Sequence, residues 1–70
     1  MCVSDTARLG EIIKKRRKVL HYTQSYLSEC SGLSVSFISD VENGKSTAEL
    51  GKVLFLVNLL GLDFDLKERS

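Results

Sequence analysis

The sequence contains no proline, no tryptophan, one histidine and two cysteines. One histidine and two cysteines are too few for a zinc cluster or for the disulfide framework of a small secreted domain. Cys30 falls inside a helical pattern, where we expect a small buried thiol, and reduced cysteines suit a cytoplasmic protein. The absence of proline favours a compact helical domain with short turns.

Long apolar segments and a strong net charge are also missing. The longest apolar run, Val53 to Val57, is far too short to span a bilayer. The start of the chain, MCVSDTARLG, contains no apolar signal core, so we expect neither a targeting segment nor a membrane partner. The formal net charge is only +1, although an unbroken basic run extends from Lys14 to Lys18. Such a run is typical of a solvated helix face.

Side chains that could carry catalysis are scarce. The chain has one histidine, no nucleophile beside a suitable base, and no glycine-rich phosphate loop ahead of a helix. We therefore expect neither an enzyme nor a bound cofactor. The 70 residues make one small domain, of a size that often needs a metal, disulfides or a partner chain for stability.

Apolar spacing predicts a first helix from residue 5 or 6 to Leu20. Its apolar stripe consists of Leu9, Ile12, Ile13 and Leu20. Arg17 lies on the same stripe, so its guanidinium must find a carboxylate, because an unpaired buried charge is very costly.

A short second helix is predicted in HYTQSYLSECSG. Thr23 is the expected N-cap, and Gly32 follows the last turn, where a left-handed backbone ends a helix at least cost. The residues expected on the buried side are Tyr26, Leu27 and Cys30.

Ser34 is the expected N-cap of a third helix that ends at about Asn43 and Gly44. Helical spacing turns Ile38 and Val41 inward. The opposite face carries small, polar and nearly neutral side chains, whereas a face exposed only to solvent more often carries Lys, Glu and Arg. Such a face suits close approach to another surface with a pattern of polar groups along its edge. The residues of this outer face are Ser36, Ser39, Asp40 and Asn43, and Val35 lies at its exposed N-terminal edge.

The pattern Ser46-Thr47-Ala48-Glu49 is a capping box and predicts a fourth helix from about Thr47 to Leu60. The expected inner stripe consists of Leu50, Val53, Leu54, Val57 and Leu60. Another side of this helix is apolar too, through Phe55, Leu56 and Leu59. A helix that is apolar nearly all round must be buried nearly all round, so these three residues predict contact with a second subunit.

Beyond Gly61, apolar residues alternate with polar ones in the sequence LDFDLK, the two-residue period of a strand with one buried face. A lone strand has no ladder partner, so residues 62–67 predict pairing with the same strand of a second copy. The alternative is a frayed apolar tail. The chain then divides into a loose N-terminus (1–5), a helical domain (6–61), a dimerisation strand (62–67) and a tail (68–70).

Two short helices joined across a glycine-containing turn form a helix-turn-helix unit, whose second helix enters the DNA major groove. The segment YTQSYLSECSGLSVSFISDVENGK resembles the Cro/cI (XRE-type) DNA-binding domain, in which T-Q-x-x-L, G-[hydrophobic]-S, I-S and E-N-G-K recur in this register. The matching residues are Thr23, Gln24, Leu27, Gly32, Leu33, Ser34, Ile38, Ser39, Glu42, Asn43, Gly44 and Lys45. The resemblance implies an all-α, lambda-repressor-like fold of four to five helices that binds a palindromic operator in double-stranded DNA.

The resemblance also implies a role for individual positions. Gln24 would bind a phosphate and brace the reading helix, and Asn43 and Lys45 would contact phosphates. Base edges would be read from Ser34, Val35, Ser36, Ser39 and Asp40. The family's buried structural ion pair would form between Arg17 and Glu42, which supplies the carboxylate that Arg17 needs. Serine hydroxyls can donate or accept at base edges, whereas the Asp40 carboxylate either accepts from a cytosine amino group or disfavours other sites.

The C-terminal segment GKVLFLVNLLGLDFDLKERS is similar to the tail of HipB-like antitoxins, in which a short strand joins its two-fold mate. This resemblance implies a homodimeric repressor that regulates its own operon and binds a HipA-like kinase toxin. The implied dimer interface consists of Phe55, Leu56, Leu59, Leu62, Phe64 and Leu66. Two alternatives stay open: a phage-type repressor or Cro protein without a toxin, and a protein-interaction module that kept the fold and lost DNA binding.

Overall fold

The computed structural model describes residues 5–66 and residue 68. This part of the chain forms four α-helices: α1 (Thr6–Val19), α2 (Gln24–Ser31), α3 (Val35–Glu42) and α4 (Leu50–Leu59). The all-α architecture predicted from the sequence is therefore present. None of the described helices combines the length and the apolar character that a membrane span requires.

Side chains fix the starts of the first three helices. Asp5, Thr23 and Ser34 each accept a hydrogen bond from the backbone N–H three residues further on. Gly32 ends α2 with φ of 77°, in the left-handed region where a residue with a side chain would be strained. The predicted boundaries of these helices are confirmed to within a residue or so.

The fourth helix begins later than the capping-box pattern predicts. It starts at Leu50, with Glu49 as an N-cap whose side chain makes no capping hydrogen bond. Ser46, Thr47 and Ala48 lie in turns and a bend. Ala48 packs against the core, so this segment is used to carry the chain from α3 across to α4. The predicted cap at Ser46 is therefore wrong.

The core is an apolar cluster to which all four helices contribute. Its buried members are Ile13, Leu27, Ile38, Val41, Val53, Leu56, Val57 and Leu60. In α4, Leu56 takes the inward position, whereas Leu50 and Leu54, which were predicted to face inward, are exposed. Both of these stripes of α4 are apolar, so periodicity alone did not determine which one would face the core.

Helix α2 contributes one buried residue, Leu27, to the core. The predicted burial of Tyr26 and Cys30 is wrong, since both are exposed. The other residues of α2 are exposed or half-buried, so Leu27 alone anchors this helix in the core. The Tyr26 ring packs beside that of Tyr22 with centroids 4.9 Å apart, and a hydrogen bond with Cys30 raises the pKa of the Tyr26 phenol.

The C-terminal segment forms no strand within the described residues: residues 62–66 have no regular secondary structure. A strand needs a ladder partner, and one subunit does not supply it. Residue 67, the last of the predicted strand, lies outside the described residues, as do residues 1–4 of the predicted loose N-terminus and residues 69–70 of the tail.

Helices α1 and α3 meet at Gly10, a contact that was not predicted from the sequence. A Cβ added to Gly10 would lie 2.5 Å from the Val41 carbonyl oxygen and 2.6 Å from that of Glu42. One turn earlier, the Thr6 hydroxyl donates to the Gly44 carbonyl oxygen over 2.8 Å. The C-terminal end of α3 therefore packs directly on the backbone of α1.

We expect Gly10→Ala to destabilise the domain by about 1–3 kcal/mol, because the new methyl group would clash with the backbone of α3. Gly51→Ala is the matched control, since Gly51 is also helical but a Cβ there would meet nothing within 4 Å. The control should raise the free energy of unfolding by up to about 1 kcal/mol through helix propensity. Urea denaturation measures both effects. A Gly10→Ala variant as stable as the unmodified chain would contradict this close packing.

Candidate DNA-binding surface

A buried ion pair holds α3, the reading helix of the resemblance, against α1. Nε and Nη2 of Arg17 donate to Oε2 and Oε1 of Glu42 over 2.7 Å and 3.0 Å. Nη1 of Arg17 donates to the Tyr22 carbonyl oxygen in the α1–α2 turn over 2.7 Å. The hydrogen bonds with Glu42 raise the pKa of Arg17 and outweigh the opposing effect of burial. The guanidinium predicted to need a carboxylate has one.

Gln24 connects α2 to the same carboxylate. Its Nε2 donates to Oε1 of Glu42 over 3.1 Å, so this oxygen accepts from both Arg17 and Gln24. Among the described residues, no buried side-chain nitrogen or oxygen lacks a hydrogen-bond partner. Glu42, in the last turn of α3, is thereby tied to α1 and α2 at once, which fixes the orientation of α3.

The outer stripe of α3, which we define as Ser36, Ser39, Asp40 and Asn43, lies away from this network. Ser36 and Asn43 are exposed, and Ser39 and Asp40 are half-buried. Nδ2 of Asn43 donates to Oγ of Ser39 over 3.4 Å. Every member carries a short polar group, and none has a long chain that would hold another surface at a distance.

The N-terminal end of α3 presents Ser34 and Val35. Oγ of Ser34 accepts from the backbone N–H of Phe37 over 3.0 Å, and its own proton remains available for donation. Val35 is 40% exposed, so its methyl groups face solvent in the free chain. These two residues extend the outer stripe toward the helix end that enters the groove in a helix-turn-helix protein.

Lys45 and Asp40 form a surface ion pair. Nζ of Lys45 lies 3.3 Å from Oδ2 of Asp40, and the side chains are 53% and 48% exposed. The backbone N–H of Lys45 also donates to the Asp40 carbonyl oxygen over 3.0 Å. Separate roles were predicted for these two residues, and their pairing was not predicted. The available signal was an acid and a base five positions apart across the end of a helix.

The basic run of α1 divides into structural and exposed residues. Arg17 belongs to the buried network, and Nε of Arg16 donates to the Leu60 carbonyl oxygen at the end of α4 over 2.8 Å. Lys14, Lys15 and Lys18 are exposed. The two arginines therefore bind other elements of the domain, while the three lysines supply a solvated positive face.

A second surface, on α4 and residues 62–66, is apolar. Phe55 and Leu59 are 49% and 42% exposed, and Phe64 and Leu66 are exposed as well. Leu62 packs partly against the core of its own subunit. Leu56, predicted to lie in a dimer interface with these residues, has 0% exposure because it faces the same core. It is therefore not available to a second subunit, contrary to the prediction.

Together, α2, the Gly32 turn and α3 define a helix-turn-helix domain whose second helix presents a short polar face. Within the described residues, no group of His, Cys, Asp or Glu side chains is placed to hold a metal ion. The sequence pattern of the Helix-turn-helix family matches residues 13–67. The chain belongs to this family in its XRE (Cro/cI) type, whose members are DNA-binding transcriptional regulators and not enzymes.

Two relatives share much of the sequence. The ImmF control region 10 kDa protein of Bacillus phage phi105 is 38% identical over 58 residues, which cover 79% of this chain and 64% of the phage protein. The uncharacterized HTH-type transcriptional regulator y4mF of Sinorhizobium fredii is 34% identical over 64 residues, covering 91% of this chain and 84% of that protein. The chain thus spans less than two thirds of the phage relative.

Solved structures with the same fold include a HipB-O4 20mer complex and a HipA-HipB-O2-O3 complex. Each has a TM-score of 0.88 and 23% sequence identity, and covers 100% of this chain and 99% of the matched chain. At this identity the likeness establishes the lambda-repressor-like fold.

We expect Arg17→Ala to destabilise the domain by about 3–5 kcal/mol, because it leaves the Glu42 carboxylate buried without its cation. Lys14→Ala and Lys15→Ala, which remove exposed charges from the same helix, should change the free energy of unfolding by less than about 0.5 kcal/mol. Thermal melts of the three variants measure the difference. Equal melting temperatures would contradict a structural role for the ion pair.

Proposed function

We propose that this chain is a homodimeric repressor that binds a two-fold symmetric operator with α3 in the major groove. The proposal is carried by the contrast between the two sides of α3. One side is fixed by the buried Arg17–Glu42 pair and Gln24. The other presents short polar groups that can approach base edges. A rigid helix with such a face is suited to reading a sequence.

Each surface residue then has a role in the proposed complex. Ser36, Ser39 and Asp40 read base edges from the outer stripe, and the Val35 methyl groups contact a thymine methyl group. The Ser34 hydroxyl also reads base edges, and the phosphate contacts fall to residues at the ends of α2 and α3: Gln24, Asn43 and Lys45. Lys45 contributes the attraction that does not depend on sequence.

The apolar surface is the proposed dimer interface. Phe55 and Leu59 of the two copies pack across the two-fold axis, and residues 62–67 pair as a two-stranded antiparallel ribbon that brings Phe64 and Leu66 together. An apolar patch of this kind on a small domain marks an interaction surface. The same axis sets the spacing of the two reading helices.

We further propose that the repressor is the antitoxin of a HipA-like kinase toxin and regulates its own operon. Support comes from the resemblance of the C-terminal segment to the tail of HipB-like antitoxins. The fold shared with HipB in its complex with HipA supports it as well. The phage relative favours a second candidate, a phage-type repressor or Cro protein without a toxin. Co-purification of the chain with a kinase encoded beside its gene would support the antitoxin. A DNA-binding chain whose gene has no kinase neighbour would favour the phage-type regulator.

Ser36→Ala and Lys45→Ala should weaken operator binding in different ways. Ser36→Ala removes a base contact and should cost about 1–3 kcal/mol on the operator, with little effect on random DNA. Lys45→Ala removes a phosphate contact and should weaken binding to every sequence and flatten the salt dependence. Lys14→Ala is the control for a lost charge elsewhere. Titrations at several salt concentrations, with the DNA upstream of the gene and with random duplex, separate the effects. Identical losses for both variants on both DNAs would contradict the assignment of α3 as the reading helix.

Deletion of residues 62–70 and the substitution Phe55→Ser should each shift the chain toward monomer, because each removes part of the proposed interface. Operator affinity should fall as the dimer is lost, because the two-fold axis of the dimer sets the distance between the two α3 helices to match half-sites roughly 34 Å apart. Leu50→Ser, which changes a more exposed leucine on another side of α4, is the control and should stay dimeric. Sedimentation and operator titration measure both properties. A monomer with undiminished operator affinity would contradict the link between dimer and function.

A further inference from the structure

The Asp40–Lys45 ion pair leads to an inference that rests on the proposed DNA binding and extends it. We propose that Asp40 selects cytosine at one position of each half-site, and that Lys45 releases Asp40 to make this possible. In the free protein Lys45 neutralises the carboxylate. On DNA the ammonium group moves to a phosphate, and the carboxylate accepts a hydrogen bond from the cytosine N4 amino group.

The position of Asp40 makes its negative charge unfavourable unless a cation or a hydrogen-bond donor compensates it. It lies in the middle of the outer stripe and in the last turn of α3, which contains no basic residue. A carboxylate at this end of a helix is disfavoured by the helix dipole, and phosphates of a bound duplex would repel it. The neighbouring Glu42 shares the first problem, but it is held by a buried arginine and does not face outward.

The partner of Asp40 is exchangeable, unlike the partner of Glu42. Both members of the Asp40–Lys45 pair are about half exposed, and a single contact of 3.3 Å joins them. Exposed pairs of this kind contribute little to stability. A lysine has a flexible stem and three donors, so Lys45 can turn to a nearby phosphate without moving the backbone.

Once Lys45 has turned away, the carboxylate faces the base edges without a cation. A charge that loses water without gaining a partner is strongly unfavourable, so the base pair opposite Asp40 decides the outcome. Cytosine presents an amino donor in the major groove, whereas guanine and thymine present acceptors that repel a carboxylate. Adenine presents a donor beside an acceptor and ranks second. The pair therefore acts as a filter that rejects guanine and thymine.

Selection from a duplex library randomised over about two helical turns tests this assignment, with the unmodified chain, Asp40→Asn and Asp40→Ala. The unmodified chain should enrich cytosine at one symmetric position, with a preference over guanine of roughly 10- to 100-fold per half-site. Asp40→Asn should move the preference at that position to adenine, since an amide pairs with the N6 and N7 edge of adenine. Asp40→Ala should leave the position unselected.

Two further variants separate base reading from charge. Glu49 is another exposed carboxylate paired with a lysine, since its Oε2 lies 3.5 Å from Nζ of Lys52, and it lies off the outer stripe. Glu49→Gln removes this charge. It should leave every base preference unchanged. Lys45→Ala should lower affinity for all sequences while keeping the cytosine preference. Thermal melts of all variants verify that the domain stays folded.

The outcomes distinguish this inference from the proposed function. If the unmodified chain enriches a two-fold site but Asp40→Asn keeps every base preference, the cytosine assignment is overturned and operator binding stands. The same holds if Asp40→Asn and Asp40→Ala only tighten binding to all sequences alike, because Asp40 then acts through charge alone. If the unmodified chain enriches no sequence, the proposed function fails and the inference fails with it.

Discussion

The bidentate contact between Arg17 and Glu42 is the constraint on which the arrangement of the helices depends. It joins the apolar face of α1 to the last turn of α3, and Arg17 also binds the Tyr22 carbonyl oxygen in the connecting turn. Gln24, at the start of α2, donates a hydrogen bond to the same carboxylate. Since each buried charge would be left uncompensated without the other, α1, α2 and α3 keep one relative orientation. Gly10 leaves room for the end of α3 to approach the backbone of α1, and the Thr6 hydroxyl donates a hydrogen bond to the backbone just after α3.

Two carboxylates at one end of α3 meet very different surroundings. Glu42 is buried and bound to an arginine through two hydrogen bonds, so it serves to position the helix. Asp40 is half exposed and bound to a lysine through one longer contact, so its partner can change. Arginine suits the first site because its planar group matches a carboxylate, and lysine suits the second because its charge is mobile. The same helix end thus combines a fixed attachment with a group free to respond to a ligand.

The size of the chain connects its stability to its assembly. A domain of 70 residues buries a modest share of its surface, and the core draws on one stripe of α4. The other apolar stripes of α4 remain exposed on the single subunit, beside residues 62–66, which form no regular secondary structure. The proposed dimer would cover both apolar regions and would place two copies of α3 on one duplex.

The sequence by itself determined the features that depend on local chemistry. Thr23 and Ser34 cap helices because their side chains reach the free amides of the first turn, and Gly32 ends α2 because it tolerates a left-handed backbone. The need of Arg17 for a carboxylate was equally visible, since it interrupts an apolar stripe.

Only the tertiary structure decided the features for which local chemistry allowed more than one answer. Helix α4 has several apolar stripes, and packing against the other three helices selected the one with Leu56 in place of Leu54. The segment that begins at Ser46 could have started a helix, but it forms a turn because the chain must pass from α3 to α4 there. The contact of Lys45 with Asp40 depends on the backbone turn after α3. Periodicity and capping describe one element at a time, whereas these outcomes depend on how the elements pack together.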